Sequence, residues 1–248
     1  MSRPRIALVV PVLNEAATIG AVVRAVPRDW VDDIIVVDGG SRDRTIEEAE
    51  RAGARTLTVT ERGYGRACQA GAEAADAEIL VFLDGDGSDD PALIPQVVAP
   101  LLSGAADFVL GSRTIGSREP GSMNALQIWS GRLIGLVLFA LYRVRYTDMS
   151  PFRAIRRGAL AQLGMREMTY GWNLEMQMRA PRAGLRVLEL PVAHRRRAGG
   201  ESKVSGNVRG TLKAGGRILT TLLRIACSPR PVGSNPSPLR GEGRVRGP

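Results

Sequence analysis

The chain has 248 residues, 44% hydrophobic and 24% charged, the make-up of a globular protein with one large core or two small ones. Two cysteines, Cys68 and Cys227, are too few for a disulfide framework or a CxxC metal site, and one histidine, His194, argues against a Ser-His-Asp or multi-histidine centre. The net charge of +9 is uneven: from His194 onward 12 Lys+Arg face 2 Asp+Glu, whereas 22 face 23 before it, so a local anionic partner is expected rather than a generally basic protein.

The N-terminal Met1-Ser2-Arg3-Pro4-Arg5 runs into a strand-like segment without a signal-peptide pattern. Continuous apolar runs at 6–10 and 34–37 read as buried parallel strands. A helix pattern over 15–25 separates them, and a second helix over 44–52 carries Asp43 as a candidate cap. A strand at 56–60, a helix at 65–75 and a strand at 79–83 continue the alternation, which predicts a parallel sheet with right-handed crossovers. Then come a helix over 91–102, a strand at 107–110 and an apolar helix over 124–142 interrupted by Arg132. Its longest apolar run, 133–142, is about half of what a bilayer crossing needs. Strand 152–155, helix 158–163, helix 170–182 and strand 185–190 follow. A basic amphipathic helix is expected over 205–226, and residues 228–248, rich in Pro, Gly, Ser and Arg, read as disordered.

The most informative stretch is Leu80-Val81-Phe82-Leu83-Asp84-Gly85-Asp86-Gly87. Residues i and i+2 of a strand point the same way, so Asp84 and Asp86 can leave the strand tip as a pincer for a divalent cation. Gly85 and Gly87 let a ligand come close, and strand tips are where open α/β sheets bind ligands. An EF-hand loop is excluded, because Asp89 and Pro95 stand where that loop needs Gly and Glu. The plain alternative is a solvated acidic turn. Neither a G-x-G-x-x-G fingerprint nor a Walker lysine is present; the first strand is followed by Pro11-Val12-Leu13-Asn14-Glu15 and the second by Asp38-Gly39-Gly40-Ser41.

Taken together with Gly63-Tyr64-Gly65 and Phe82-Leu83-Asp84-Gly85-Asp86, these landmarks resemble family 2 glycosyltransferases of the GT-A fold over about residues 5–215. The second half is similar to the dolichol-phosphate mannose synthase branch, through Gly111-Ser112-Arg113, Thr147-Asp148-Met149-Ser150-Pro151-Phe152-Arg153 and Arg197-Ala198-Gly199-Gly200-Glu201-Ser202-Lys203. The resemblance implies an α/β, Rossmann-like, mostly parallel sheet flanked by helices. It places Pro11, Asn14 and Glu15 at the nucleotide, with Glu15 and Asp38 facing base and ribose. Asp84 and Asp86 become the DXD motif, holding Mg²⁺ or Mn²⁺ against the diphosphate, and Arg113, Arg132, Arg197 and Lys203 surround phosphates. The family's Asp-Asp-Gly-Ser is here Asp38-Gly39-Gly40-Ser41, which leaves the choice between UDP and GDP open.

The expected activity is inverting transfer of a hexose from a nucleotide sugar to a polyprenyl phosphate. Negative charge builds on the leaving diphosphate, where a cation and arginines stabilise it. An alcohol acceptor would need a general base; the candidate is Glu175 on the 170–182 helix, with a surface glutamate as the plain alternative and Asp148 as a second candidate. A phosphate acceptor, already ionised, needs none. Arg195-Arg196-Arg197 with Lys203 reads as a loop closing over phosphates, with Gly199-Gly200 as hinge. The division expected is a GT-A domain over 1–204, an interface helix over 205–227 and a loose tail over 228–248. That helix sets Arg209, Lys213, Arg217 and Arg224 against Val208, Leu212, Leu219, Leu222, Leu223 and Ala226. It either packs on the domain or a second subunit, or lies in a membrane interface with 133–142 as companion. A cytoplasmic protein, peripheral at the inner membrane face and not bound to nucleic acid, is expected. The rivals are a transferase using a hydroxyl acceptor and a non-catalytic basic module.

Overall fold

The computed structural model describes residues 3–199, 216 and 219–226. Among the described residues, seven strands form one sheet in the order β3-β2-β1-β4-β6-β5-β7. They are β1 (Ile6–Val12), β2 (Asp33–Asp38), β3 (Arg55–Thr58), β4 (Ile79–Phe82), β5 (Phe108–Ser112), β6 (Arg153–Arg156) and β7 (Val187–Pro191). The left half, β3-β2-β1-β4, is parallel throughout. β6 runs antiparallel between β4 and β5, and β7 pairs parallel with β5. The sheet is therefore mostly parallel, and the simple alternation read from the sequence is broken by one strand that arrives late and inserts beside β4.

The helices over residues 3–199 are α1 (Ile19–Arg24), α2 (Thr45–Arg51), α3 (Tyr64–Ala74), α4 (Ile94–Leu102), α5 (Ala125–Tyr142), α6 (Arg157–Leu163) and α7 (Trp172–Arg182). They cover both faces, which is why β1, β2 and β4 read as unbroken apolar runs: side chains on either side are buried. One core layer takes Leu8, Val10, Val36, Val81 and the inner faces of α1 and α4; the other takes Val9, Val37, Leu80, Phe82 and those of α3, α5 and α7.

Several boundaries moved for identifiable reasons. The helix expected from 15 shortens to α1: Asn14 turns the chain with φ 53, and residues 15–18 form a turn in which the Glu15 carbonyl accepts from the N–H groups of Thr18 and Ile19. Asp43 is not the cap expected of it: the N-cap is Arg44, which makes no side-chain capping bond, and Asp43 instead braces the turn before the helix by accepting from the backbone N–H of Thr45 at 3.2 Å. Arg132 does not interrupt α5: the helix is continuous and opens with a reciprocal Asn124–Gln127 capping box. Of the interface helix expected over 205–227, residues 216 and 219–226 are described and helical. Their sidedness differs from the expectation. Ile225 joins the core, Leu219 and Leu223 are exposed, and Arg224 turns to the buried Glu167 and Glu175 carboxylates. Two buried negative charges recruit the cation that the helical pattern had assigned to water. The rest of that helix and the tail over 228–248 lie outside the described residues.

Candidate active site

The tips of β1 and β2 form one wall. The Asn14 backbone N–H donates to Ser41 Oγ at 2.8 Å, and Asn14 Oδ1 accepts from the Arg42 N–H at 2.8 Å. Glu15 donates its N–H to Thr45 Oγ1 at 2.8 Å and is itself buried. Pro11 is half-buried within β1. Asp38, expected to face base or ribose, shapes its own turn: it accepts from the N–H groups of Gly40 and Ser41 at 3.0 Å and from the Ser41 hydroxyl. Thr18 ties this wall to the acidic turn by donating to the Gly85 carbonyl at 2.8 Å.

The acidic pair sits just past β4, which ends at Phe82, so Asp84 and Asp86 belong to a turn rather than to the strand's last residues. The i, i+2 strand argument is thereby replaced by a tighter device. Asp86 is buried and accepts through Oδ1 from the Ser88 N–H at 2.9 Å, while Asp84 Oδ1 is buried with no hydrogen-bond partner among the described residues. Burial, then the neighbouring Asp86 and Asp89 carboxylates, push the Asp84 carboxyl up to about 7, against the pull of Arg197 and Arg113. Tyr64 of α3 lies within the field of Asp84 and beside Asn173 at the start of α7.

The segment after β7 lies along this turn. Arg195 donates its N–H to the Ser88 carbonyl at 2.8 Å and Ala198 to that of Asp86 at 3.2 Å. Two of the three consecutive arginines are matched to acids, Arg195 to Asp90 at 2.6 Å and Arg197 Nε to Asp86 Oδ2 at 3.0 Å, whereas the Arg196 side chain donates to the Pro120 carbonyl at 2.6 Å and only its backbone N–H reaches Glu119, at 2.8 Å. His194 is buried, with Nδ1 3.2 Å from Asp89. Opposite, Arg113 grips Asp148 with two side-chain bonds of 2.7 and 2.8 Å. Burial opposes both charges, yet the mutual pairing keeps the Arg113 pKa raised and that of Asp148 lowered. Asp148 is thus a holder of Arg113.

Other predicted site residues are not gathered here. Glu175 is fully buried, neither a surface glutamate nor a free base: it accepts from the N–H groups of Arg166 at 2.8 Å and Glu167 at 2.5 Å, and pairs with Arg179 at 2.9 Å. Those donors lie behind α7, and they consume the lone pairs a base would need. Arg132 stacks over the Trp129 ring, 5.5 Å from its centroid, on the exposed side of α5. Lys203 and Gly200 lie outside the described residues. The sequence reading gave no site role to Thr18, Asp89 or Asn173, and used Tyr64 only as part of the Gly63-Tyr64-Gly65 landmark. Asp89 was visible as part of one acidic run; Thr18 and Asn173 carry no local signal and meet the turn only through packing.

The donor set fits a divalent cation that arrives with a diphosphate. Among the described residues no group of three or more His, Cys, Asp or Glu is arranged to hold a metal. A magnesium-type ion takes one or two carboxylates and completes its shell with phosphate and water. The partnerless Asp84 oxygen beside Asp86 is a site of that kind.

The glycosyl transferase family 2 model matches residues 7–164. An uncharacterized glycosyltransferase of Mycobacterium tuberculosis, Rv0539, is 38% identical over 86% of this chain and 96% of its own length. The undecaprenyl-phosphate mannosyltransferase of Micrococcus luteus is 30% identical over 83% of this chain and 90% of its own. The dolichyl-phosphate hexose transferase of Haloferax volcanii is 32% identical over 78% and 84%. Among solved structures, glucosyl-3-phosphoglycerate synthase of Mycobacterium tuberculosis, in complex with Mn²⁺, UDP and phosphoglyceric acid, superposes with a TM-score of 0.73 at 24% identity. It covers 91% of this chain and 80% of that one.

Proposed function

The chain belongs to glycosyl transferase family 2, and from that premise we propose that it moves a hexose from a nucleotide diphosphate sugar to a polyprenyl phosphate, with inversion. The single observation that carries the reading is the buried Asp84 oxygen without a partner, one glycine away from Asp86. Mg²⁺ or Mn²⁺ held by Asp84 and Asp86 would supply positive charge against the donor's diphosphate. The β1 and β2 tips, with Pro11, Asn14 and Glu15 on the Asp38 turn, would cradle the nucleoside. Arg197 exchanges its contact with Asp86 for a phosphate oxygen, and Arg113, fixed by Asp148, faces the charge that develops as the glycosidic bond breaks. Lys203 would add a further cation from the same loop.

A lipid-borne phosphate acceptor is supported by the Micrococcus and Haloferax relatives, whose names specify such acceptors. It is also favoured by the state of Glu175. A phosphate attacks without surrendering a proton, so the site needs no free carboxylate base, and Glu175 is committed to backbone amides and Arg179. Such an acceptor brings the protein to a membrane surface; among the described residues no helix is long and apolar enough to cross a membrane.

The test is a donor screen with UDP- and GDP-sugars, Mn²⁺ or Mg²⁺ and polyprenyl phosphate, following nucleoside diphosphate release and lipid-linked sugar together. Asp84→Asn and Asp86→Asn are each expected to lower turnover by about 10²-fold or more. Full-rate transfer by either variant, or in excess chelator, defeats the reading. Transfer only to a hydroxyl acceptor defeats the phosphate part of it.

A further inference from the structure

Asp148, which grips Arg113, stands in a segment that is neither helix nor strand, yet every backbone polar group of Thr147 and Asp148 has a partner. The Thr147 N–H donates to both Glu189 carboxylate oxygens at 3.0 Å, and the Asp148 N–H to Glu189 Oε1 at 3.3 Å. The Thr147 carbonyl accepts from Thr114 Oγ1 at 3.1 Å, and that of Asp148 from Gln177 Nε2 at 2.8 Å. Thr147 Oγ1 lies 2.7 Å from Ser112 Oγ. One residue earlier, Gly135 of α5 stands where a Cβ would collide with the Tyr146 carbonyl. The end of β5, β7, α5 and α7 thus converge on two residues, and what those residues present to the site is the Asp148 carboxylate.

Glu189 is the odd member of this set. It sits on β7 opposite Leu110 of β5, half-buried, where an apolar side chain would serve the strand pair as well. Burial pushes its carboxyl pKa up, the N–H groups of Thr147 and Asp148 pull it back, and the Asp148 charge adds to the rise. The carboxylate is therefore kept at a cost, and its bonds go to the backbone of the residue that holds Arg113. Asp148 in turn takes Arg113 by its backbone N–H at 3.0 Å and by its guanidinium at 2.7 and 2.8 Å. The line Glu189–Asp148–Arg113 runs from the sheet edge toward the acidic turn, whose Asp84 and Asp89 charges Arg113 feels. Such a line fixes the direction of a guanidinium before any substrate arrives.

We propose that Glu189 is a positioning residue for sugar transfer: by bracing the Thr147–Asp148 backbone from β7, it sets the direction in which Asp148 presents Arg113 to the leaving diphosphate. Glu189 touches no substrate. Its effect on rate rests on the reading of Arg113 given above, whereas the brace itself is a property of the ligand-free protein. Without the Glu189 oxygens, two partly buried N–H groups lose their acceptors, and the segment finds new ones only by moving. A displacement of about 1 Å in a group that orients the reacting atoms costs up to roughly 10²-fold in rate.

The experiment compares, in the full chain, Glu189→Met, which keeps the length and removes both acceptors, with Glu189→Gln, which keeps one. In ligand-free protein carrying isotope-labelled arginine, the Arg113 Nε–H signal is identified by its loss in Arg113→Lys. It is expected to be sharp and slow to exchange in the wild type, broadened or lost in Glu189→Met, and retained in Glu189→Gln. Donor kcat/KM is expected to fall on the order of tenfold or more in Glu189→Met and to be largely restored in Glu189→Gln. In an Asp148→Asn background, Glu189→Met should add less than about twofold, because both act through one arginine. Asp107→Asn, which frees Arg186 and loosens the β5–β7 pair at its other end, should keep wild-type transfer whatever its melting temperature. Glu189→Asp draws the carboxylate back by one methylene; it should behave like Glu189→Met and decides the matter if the latter does not fold. An unchanged Arg113 signal overturns the proposal, as does a kinetic loss that adds in full to that of Asp148→Asn or is matched by Asp107→Asn. A lost signal with wild-type transfer would keep the brace and remove Arg113 from the reaction. In a protein that transfers to no acceptor, the Arg113 signal alone decides the brace.

Discussion

Asp84 carries the most consequence of any single residue. Its carboxyl is pushed up to about 7 by burial and by Asp86 and Asp89, whereas in the unfolded chain it titrates near 4. Between those values the folded state holds a proton that the unfolded state has lost, so rising pH destabilises the metal-free protein, and the full cost, roughly 2–4 kcal/mol, is present above pH 7. Metal-free Asp84→Asn is therefore expected to melt several degrees above wild type at pH 8, with the gap closing by about pH 4. Mn²⁺ should raise the melting temperature of wild type and leave that of the variant nearly unchanged. Calorimetry across pH checks both, and equal melting curves at pH 8 would contradict the burial argument. The acidic pair itself was legible because two carboxylates after an apolar run are an unusual pattern. What the pattern could not reveal is that Arg195, Arg196 and Arg197, read as phosphate ligands in waiting, already have protein partners. Charge runs say nothing about which acids lie across the fold.

At the scale of elements, α5 shows how packing converts sequence into position. Its glycines look like weak points in a helix, yet Gly135 is the reason the helix can touch the Tyr146 carbonyl. Gly135→Ala is expected to cost roughly 2–4 kcal/mol and, by displacing the segment that holds Asp148, to raise the KM for donor. Gly158→Ala on α6, where a Cβ meets nothing within 4 Å, is the matched control and should be neutral or slightly stabilising. Equal melting temperatures for the two variants would refute the close-approach argument. Helix existence was readable along the chain because 3.6-residue periodicity is local. The antiparallel insertion of β6 between β4 and β5 was not, since Arg153–Arg156 is short and its neighbours are set by contacts far apart in sequence.

For the whole molecule, the chain's later part is tied back to the sheet through buried charge. Glu175 and Glu167 receive Arg179 from α7 and Arg224 from 219–226, Thr221 donates to Glu167 at 3.1 Å, and Arg182 donates to the Ile225 carbonyl at 2.5 Å. Glu175→Gln puts an amide where four donors converge, so a loss of about 2 kcal/mol and roughly 4–8 °C is expected, discounted for the half-exposed Arg224. A double-mutant cycle with Arg224→Gln should show coupling, while the pH profile of the folded fraction's turnover keeps its shape. A lost acidic limb in that profile would instead restore Glu175 as a base. By itself the sequence determined the α/β class, the order of elements, the family and the acidic turn, because hydrophobic period and short motifs are properties of neighbouring residues. Only the tertiary structure decided that Glu175 is buried, that Asp148 serves Arg113, and that one side of α5 faces outward. Burial and ion pairing depend on which distant segments meet, and that is fixed by packing around a sheet whose strand order departs from chain order.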